Sequence, residues 1–132
     1  MSDQKAWLVG EIPAATSHGR IPVAGWIKGH FGLDFRIWHD EISDDFTKGW
    51  CLTHIPTGRV TMGIFAPLAQ AQELADAFAE MTDWSFAESE KAKDLVFLVR
   101  GFRNQHADTI SLRSPLYSPL WPETIYPTGE AA

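Results

Sequence analysis

Cysteine occurs once in these 132 residues, at Cys51, so the chain closes no disulfide of its own. No N-terminal stretch joins a basic start to an apolar run and a small-residue cleavage site. The longest apolar run, LVFLV at residues 95–99, falls far short of the roughly 20 residues that cross a bilayer. A cytoplasmic protein with no membrane segment is expected. Glycine is scattered as turn punctuation, without a Walker-type Gly-x-x-x-x-Gly-Lys, a Gly-x-Gly-x-x-Gly or a Gly-x-Ser-x-Gly elbow. The usual signatures of nucleotide binding and of α/β-hydrolase chemistry are therefore missing. Basic residues are scarce in the second half: residues 67–132 hold ten of the seventeen acidic side chains but five of the eleven basic ones. Such a balance repels a phosphate backbone at long range and argues against sequence-independent nucleic-acid binding.

What the chain does have is 45% apolar residues, spread evenly, and a length suited to one ordinary domain. The first sixty-odd residues read as strands between Gly and Pro breakers: AWLVGEI, RIPVAGWIK and LDFRIWHD. In the third, Leu33, Phe35 and Ile37 alternate with Asp34 and Arg36, the period of a half-buried strand. The acidic run DEISDD, residues 40–45, reads as a solvated loop. A hairpin follows, KGWCLTHI and RVTMGIF, joined through Pro56, Thr57 and Gly58. Its geometry puts Trp50, Leu52 and His54 on one face of the first strand and Val60, Met62 and Ile64 on one face of the second.

From Pro67 the period becomes helical, with Leu68, Ala71, Leu74 or Ala75, Phe78 and Met81 recurring at steps of three and four. The opposite face carries Glu73, Asp76, Glu80 and Asp83, a stripe of carboxylates that no lysine or arginine of the same segment interrupts. SFAE at residues 85–88 matches the capping box of a second, short helix ending near Asp94. LVFLV and ADTISL then read as a central strand and its neighbour. The expected fold is α+β: one domain over residues 1–112, with a twisted antiparallel sheet of five to seven strands, one main helix and a possible second packed on one face. Residues 113–132, rich in Pro and aromatics, read as an extended tail packed on that domain.

Several constellations compete for function. Cys51 beside His54 suggests a nucleophile and its base, but positions three apart on a strand point to opposite faces, so no catalytic residue is assigned. His39, His54 and Arg59 are the alternative: a small-ligand or hydrolytic pocket beside the hairpin. No two histidines share a zinc-site spacing, and WHDE at residues 38–41 is explained as a strand end entering an acidic loop, so neither metal nor cofactor is expected. Arg100, Arg103 and Arg113 are what a nucleic-acid reading would use. Like charges at helical spacing cost about 0.2–0.5 kcal/mol per pair, so a stripe that keeps four carboxylates invites a basic partner. The sequence thus points to a small acidic, non-enzymatic protein-binding module. It would act as an inhibitor of a basic or nucleic-acid-processing protein, in the manner of phage or mobile-element inhibitors and toxin-immunity proteins. Glu73, Asp76, Glu80 and Asp83 would form the contact surface, with Tyr117 and Trp121 as aromatic anchors.

Overall fold

Short β-branched and aromatic runs separated by tight turns pair with their nearest neighbours in sequence, because closing a short loop costs the least entropy. The computed structural model describes residues 6–16, 19–40, 45–111 and 120, and shows this local pairing from the first strand to the fifth. Six antiparallel strands lie in sequence order: β1 (Leu8–Thr16), β2 (Gly19–Lys28), β3 (Phe31–Asp40), β4 (Asp45–His54), β5 (Arg59–Ile64) and β6 (Ile110–Ser111). Between β5 and β6 the chain forms α1 (Leu68–Ala79), a 3-10 helix (Ser89–Leu95) and α2 (Val96–Gln105). The result is a single α+β domain with an open, twisted antiparallel sheet, as the pattern of residues predicts.

Helix α1 lies against β3 and β4, turning Ala71, Leu74, Ala75 and Phe78 inward at the expected spacing. They meet Phe31, Leu33, Leu52, Met62 and Ile64 from the sheet, and Trp84, Val99, Phe102 and Ile110 complete this core. Burial of each large apolar side chain contributes about 1.5–3 kcal/mol, so this one cluster supplies most of the driving force. Leu120 joins it, and its N–H donates to Val60 O at 3.0 Å on the edge of β5. The rest of the tail lies outside the described residues.

The second face of the sheet is covered by the chain's own first hairpin. β1 and β2 pair along their full length, from Leu8↔Ile27 to Thr16↔Gly19, but β2 pairs with β3 only from Trp26 to Lys28. The β1–β2 ribbon therefore leaves the ladder and folds back over β3–β5. Its Ile12, fully buried, occupies the space where a side chain at Gly32 would stand. The ribbon's tip is tied to the β4–β5 turn: Ala15 N–H donates to Gly58 O at 2.6 Å, and the Arg20 guanidinium to Pro56 O at 2.8 Å. Gly58 is needed there twice over, for its positive φ of 73° and for the close passage of Pro13 and Ala15. Covered on both sides, residues 51–54 and 60–64 are all buried.

Several expectations are corrected. A bulge places Val60 opposite Thr53 while Met62 faces Leu52, so Val60 falls out of step with Met62 and Ile64 and is buried outside the helix-side core. Phe35 and Ile37 continue the alternation of Leu33 but are 50% and 62% exposed, because β3 runs on beyond the helices that cover its first residues. No helix begins at Ser85. Residues 83–87 are in no helix or strand, which lets Trp84 and Phe86, two apart, both reach the aromatic cluster, while Ser85 N–H is taken by Asp83 Oδ1 at 3.0 Å. LVFLV is helical, not a strand: it ends the 3-10 helix and opens α2, whose Val99 and Phe102 face the core three residues apart. Among the described residues of ADTISL, Ile110 and Ser111 pair with β5. Among the described residues no helix is long and apolar enough to cross a membrane.

Candidate functional site

His54 is fully buried at the end of β4. Its Nε2 lies 2.6 Å from Trp84 O and its Nδ1 2.9 Å from Thr57 Oγ1. A carbonyl only accepts, so Nε2 carries a proton. The Thr57 hydroxyl accepts from Arg59 N–H at 3.3 Å and has its own proton to donate to Nδ1. That proton has a second acceptor in His54 O, 3.2 Å away; donation to Nδ1 leaves a neutral ring protonated at Nε2, the form that burial favours. Phe31, Trp84 and Phe86 stand around it, with ring centroids 5.8, 5.9 and 4.6 Å away. Burial lowers its pKa below the usual 6.5; the Trp84 carbonyl works in the opposite direction, and the nearby His30 adds to the lowering.

Cys51 stands opposite Asp34 on the other face of the sheet, whereas His54 stands opposite Phe31. The two do not form a dyad, in keeping with strand alternation. Burial pushes the thiol up to about 12, against the pull of Arg36, so it stays protonated and inert as a nucleophile. Arg36 is occupied with Asp34, which is 2% exposed and receives Nε–H at 2.6 Å and Nη2–H at 3.2 Å.

The structure does not bring His39, His54 and Arg59 together. On the β3–β4 ladder His39 is level with Phe46 and His54 with Phe31, eight residues apart, or about 26 Å at strand rise. The side chain of His39 lies outside the described residues. Arg59 is half-buried and lines a cavity of about 540 Å³ with Arg20, Thr57, Glu88 and Lys91. His54 does not line it, being sealed behind Thr57. Among the described residues no three His, Cys, Asp or Glu side chains are grouped to hold a metal ion.

The carboxylates divide. Glu73 and Asp76 are on α1, Glu80 is its C-cap and Asp83 stands beyond it. Asp76 is not an open charge: Lys28 Nζ lies 2.9 Å from its Oδ1, and Trp7 Nε1–H donates to the same oxygen at 3.2 Å. The stripe that nothing on its own helix interrupts is therefore interrupted by β2, a cation that only tertiary contact brings in. Glu73, Glu80 and Asp83 are exposed, and none of them makes an ion pair among the described residues. The Ser85 hydroxyl and amide hold Asp83 below the usual carboxylate value, so it is ionised at neutral pH.

Asp76, Glu80 and Asp83 border a cavity of about 320 Å³ between the end of α1 and the β2–β3 turn, with Trp7, His30 and Trp84 among its walls. Sequence reasoning missed Trp7, Lys28 and His30 because no motif joins positions so far apart. It also missed the exposed strip of Phe35 and Ile37, where Phe35 meets the half-buried Trp50 edge to face at 5.2 Å. Of the arginines, Arg100 is exposed on α2, Arg103 is half-buried and donates to Asn104 at 3.3 Å, and Arg113 is outside the described residues, as are Tyr117 and Trp121. Comparison with protein-family models, curated proteins and solved structures finds no match to this chain, so the site rests on its own geometry.

Proposed function

We propose that this protein is a non-enzymatic binding module that docks a basic partner, a protein or a nucleic-acid-processing complex, and acts as its inhibitor. The observation that carries the reading is the ridge of Glu73, Glu80 and Asp83, three exposed carboxylates with no cation of the described chain upon them. Charge kept open at the surface steers a complementary partner and raises its association rate. Meanwhile the residues that chemistry would recruit are committed to structure: His54 is held between Thr57 and Trp84, and Cys51 is a buried thiol. Asp76 serves a different purpose from its neighbours, tying α1 to β1 and β2 through Trp7 and Lys28.

Wild-type protein and the triple variant Glu73→Lys, Glu80→Lys, Asp83→Lys test this as paired baits against a lysate of the native host. The wild type is expected to retain a basic protein that elutes as salt rises, and the variant to lose it. The same proteins on both baits, with the same salt profile, would exclude the ridge as the contact.

A further inference from the structure

We infer that His54 is an acid-sensitive latch, whose protonation releases the link of residues 83–88 from the sheet while the β4–β5 hairpin stays folded. The link joins α1 to the 3-10 helix and belongs to no helix or strand from 83 to 87. Among the described contacts it is held by Nε2–H of His54 on Trp84 O, by Trp84 Nε1–H on Phe78 O at 3.2 Å, by Trp84 and Phe86 packed around the imidazole, and by the Trp84 ring against Phe31 and Phe78. His54 itself is anchored in two ladders, opposite Phe31 on one side and Arg59 on the other. Unlike His54, the link has no ladder pairing, so strain at the ring falls on it.

Charging the ring breaks no bond at once. The Thr57 hydroxyl turns its proton to His54 O, 3.2 Å away, and accepts from Nδ1–H instead. The Nε2–H bond to Trp84 O gains from the charge, and burial of that charge among aromatic rings outweighs the gain. The charged and titratable groups nearby are His30 on the β2–β3 turn, Arg59 on β5, and Asp83 and Glu88 on the link; both acids are exposed, and His30 works against a positive charge on the ring. Phe31, Trp84 and Phe86 fill the space that water would need. Opening the link gives the imidazolium water without breaking either ladder.

The sign follows from burial of the ring. The folded chain holds His54 neutral and so takes up its proton less readily than the unfolded chain. Stability from this group is complete above its usual value of 6.5, falls as pH drops below it, and levels off once the folded form is also protonated. Asp83 rides on the same link, so acidification reaches the carboxylate ridge, but the latch stands whether or not the ridge binds a partner.

Imidazole nitrogen chemical shifts of the wild-type chain, followed with amide-exchange protection factors from about pH 8 to about pH 5, test the latch. The expected results are an Nε2–H tautomer at the upper end, a His54 midpoint below the ordinary value, and a loss of about tenfold or more in protection at 84–88 as the ring titrates, with Leu52 and Thr53 on β4 largely unaffected. His54→Gln is expected to remove the pH dependence of the link. An Nδ1–H tautomer, an ordinary or raised midpoint, loss of protection in link and β4 together, or a Gln variant that still opens with acid would overturn it.

Discussion

Helix α1 has carboxylates and no basic residue; α2 has Arg100 and Arg103 and no acidic one. The first buries Ala71, Leu74, Ala75 and Phe78, a full stripe across three turns, and its period is plain in the sequence. The second buries only Val99 and Phe102 and leaves Phe97 78% exposed, so its apolar residues surround the axis at its start and conceal the period. A helix that lies across a sheet must match the sheet along its length, and that requirement writes a readable pattern. A helix that buries only two side chains fully is under no such constraint.

The sharpest way to break the comparison is to cut equivalent rings from each. Phe78→Ala is expected to cost about 3–5 kcal/mol in chemical denaturation, because Phe31, Trp84 and Phe102 would all border the void, whereas Phe97→Ser should stay within about 0.5 kcal/mol. Similar costs at both positions would mean that Phe97 is covered in solution. A smaller effect of opposite sign tests whether 96–105 is helical. Gly101 lies mid-helix with nothing near the place of an added Cβ, so Gly101→Ala should stabilise by about 0.5–1 kcal/mol, read as a raised denaturation midpoint. Destabilisation there would favour the extended form that the apolar run suggests. Smallest of all is Asp76→Asn. It removes a partly exposed pair with Lys28 and weakens the bond from Trp7, so the expected loss is about 1 kcal/mol or less, vanishing as salt rises.

The hairpin at Gly58 was readable because its turn chemistry is local: Pro56 presets one dihedral and Gly58 alone accepts the positive φ. Residues 95–99 are helical where their pattern suggests a strand, because a short apolar run satisfies a buried strand and a helix start equally, and Ile110 and Ser111 take the place beside β5. SFAE misled in a similar way. A capping box offers a modest local gain, and burial of Trp84 and Phe86 together outweighs it. At the candidate site, exposure of Glu73, Glu80 and Asp83 follows from their position opposite the apolar stripe, but Asp76 has the same position and is bridged from a strand 48 residues away. Nothing in the spacing of four acids marks which one is bridged.

Alternation, helical period and turn residues determined by themselves that this chain would pair neighbouring strands, lay α1 on the sheet and turn its acids outward, since each of those choices is settled within about ten residues. Tertiary structure alone decided that the first hairpin folds back to seal Cys51 and Thr53, that His54 is locked between Thr57 and Trp84, and that Lys28 claims Asp76. Those outcomes depend on surfaces distant in sequence competing for the same space, and the larger burial of apolar area prevails over local preference.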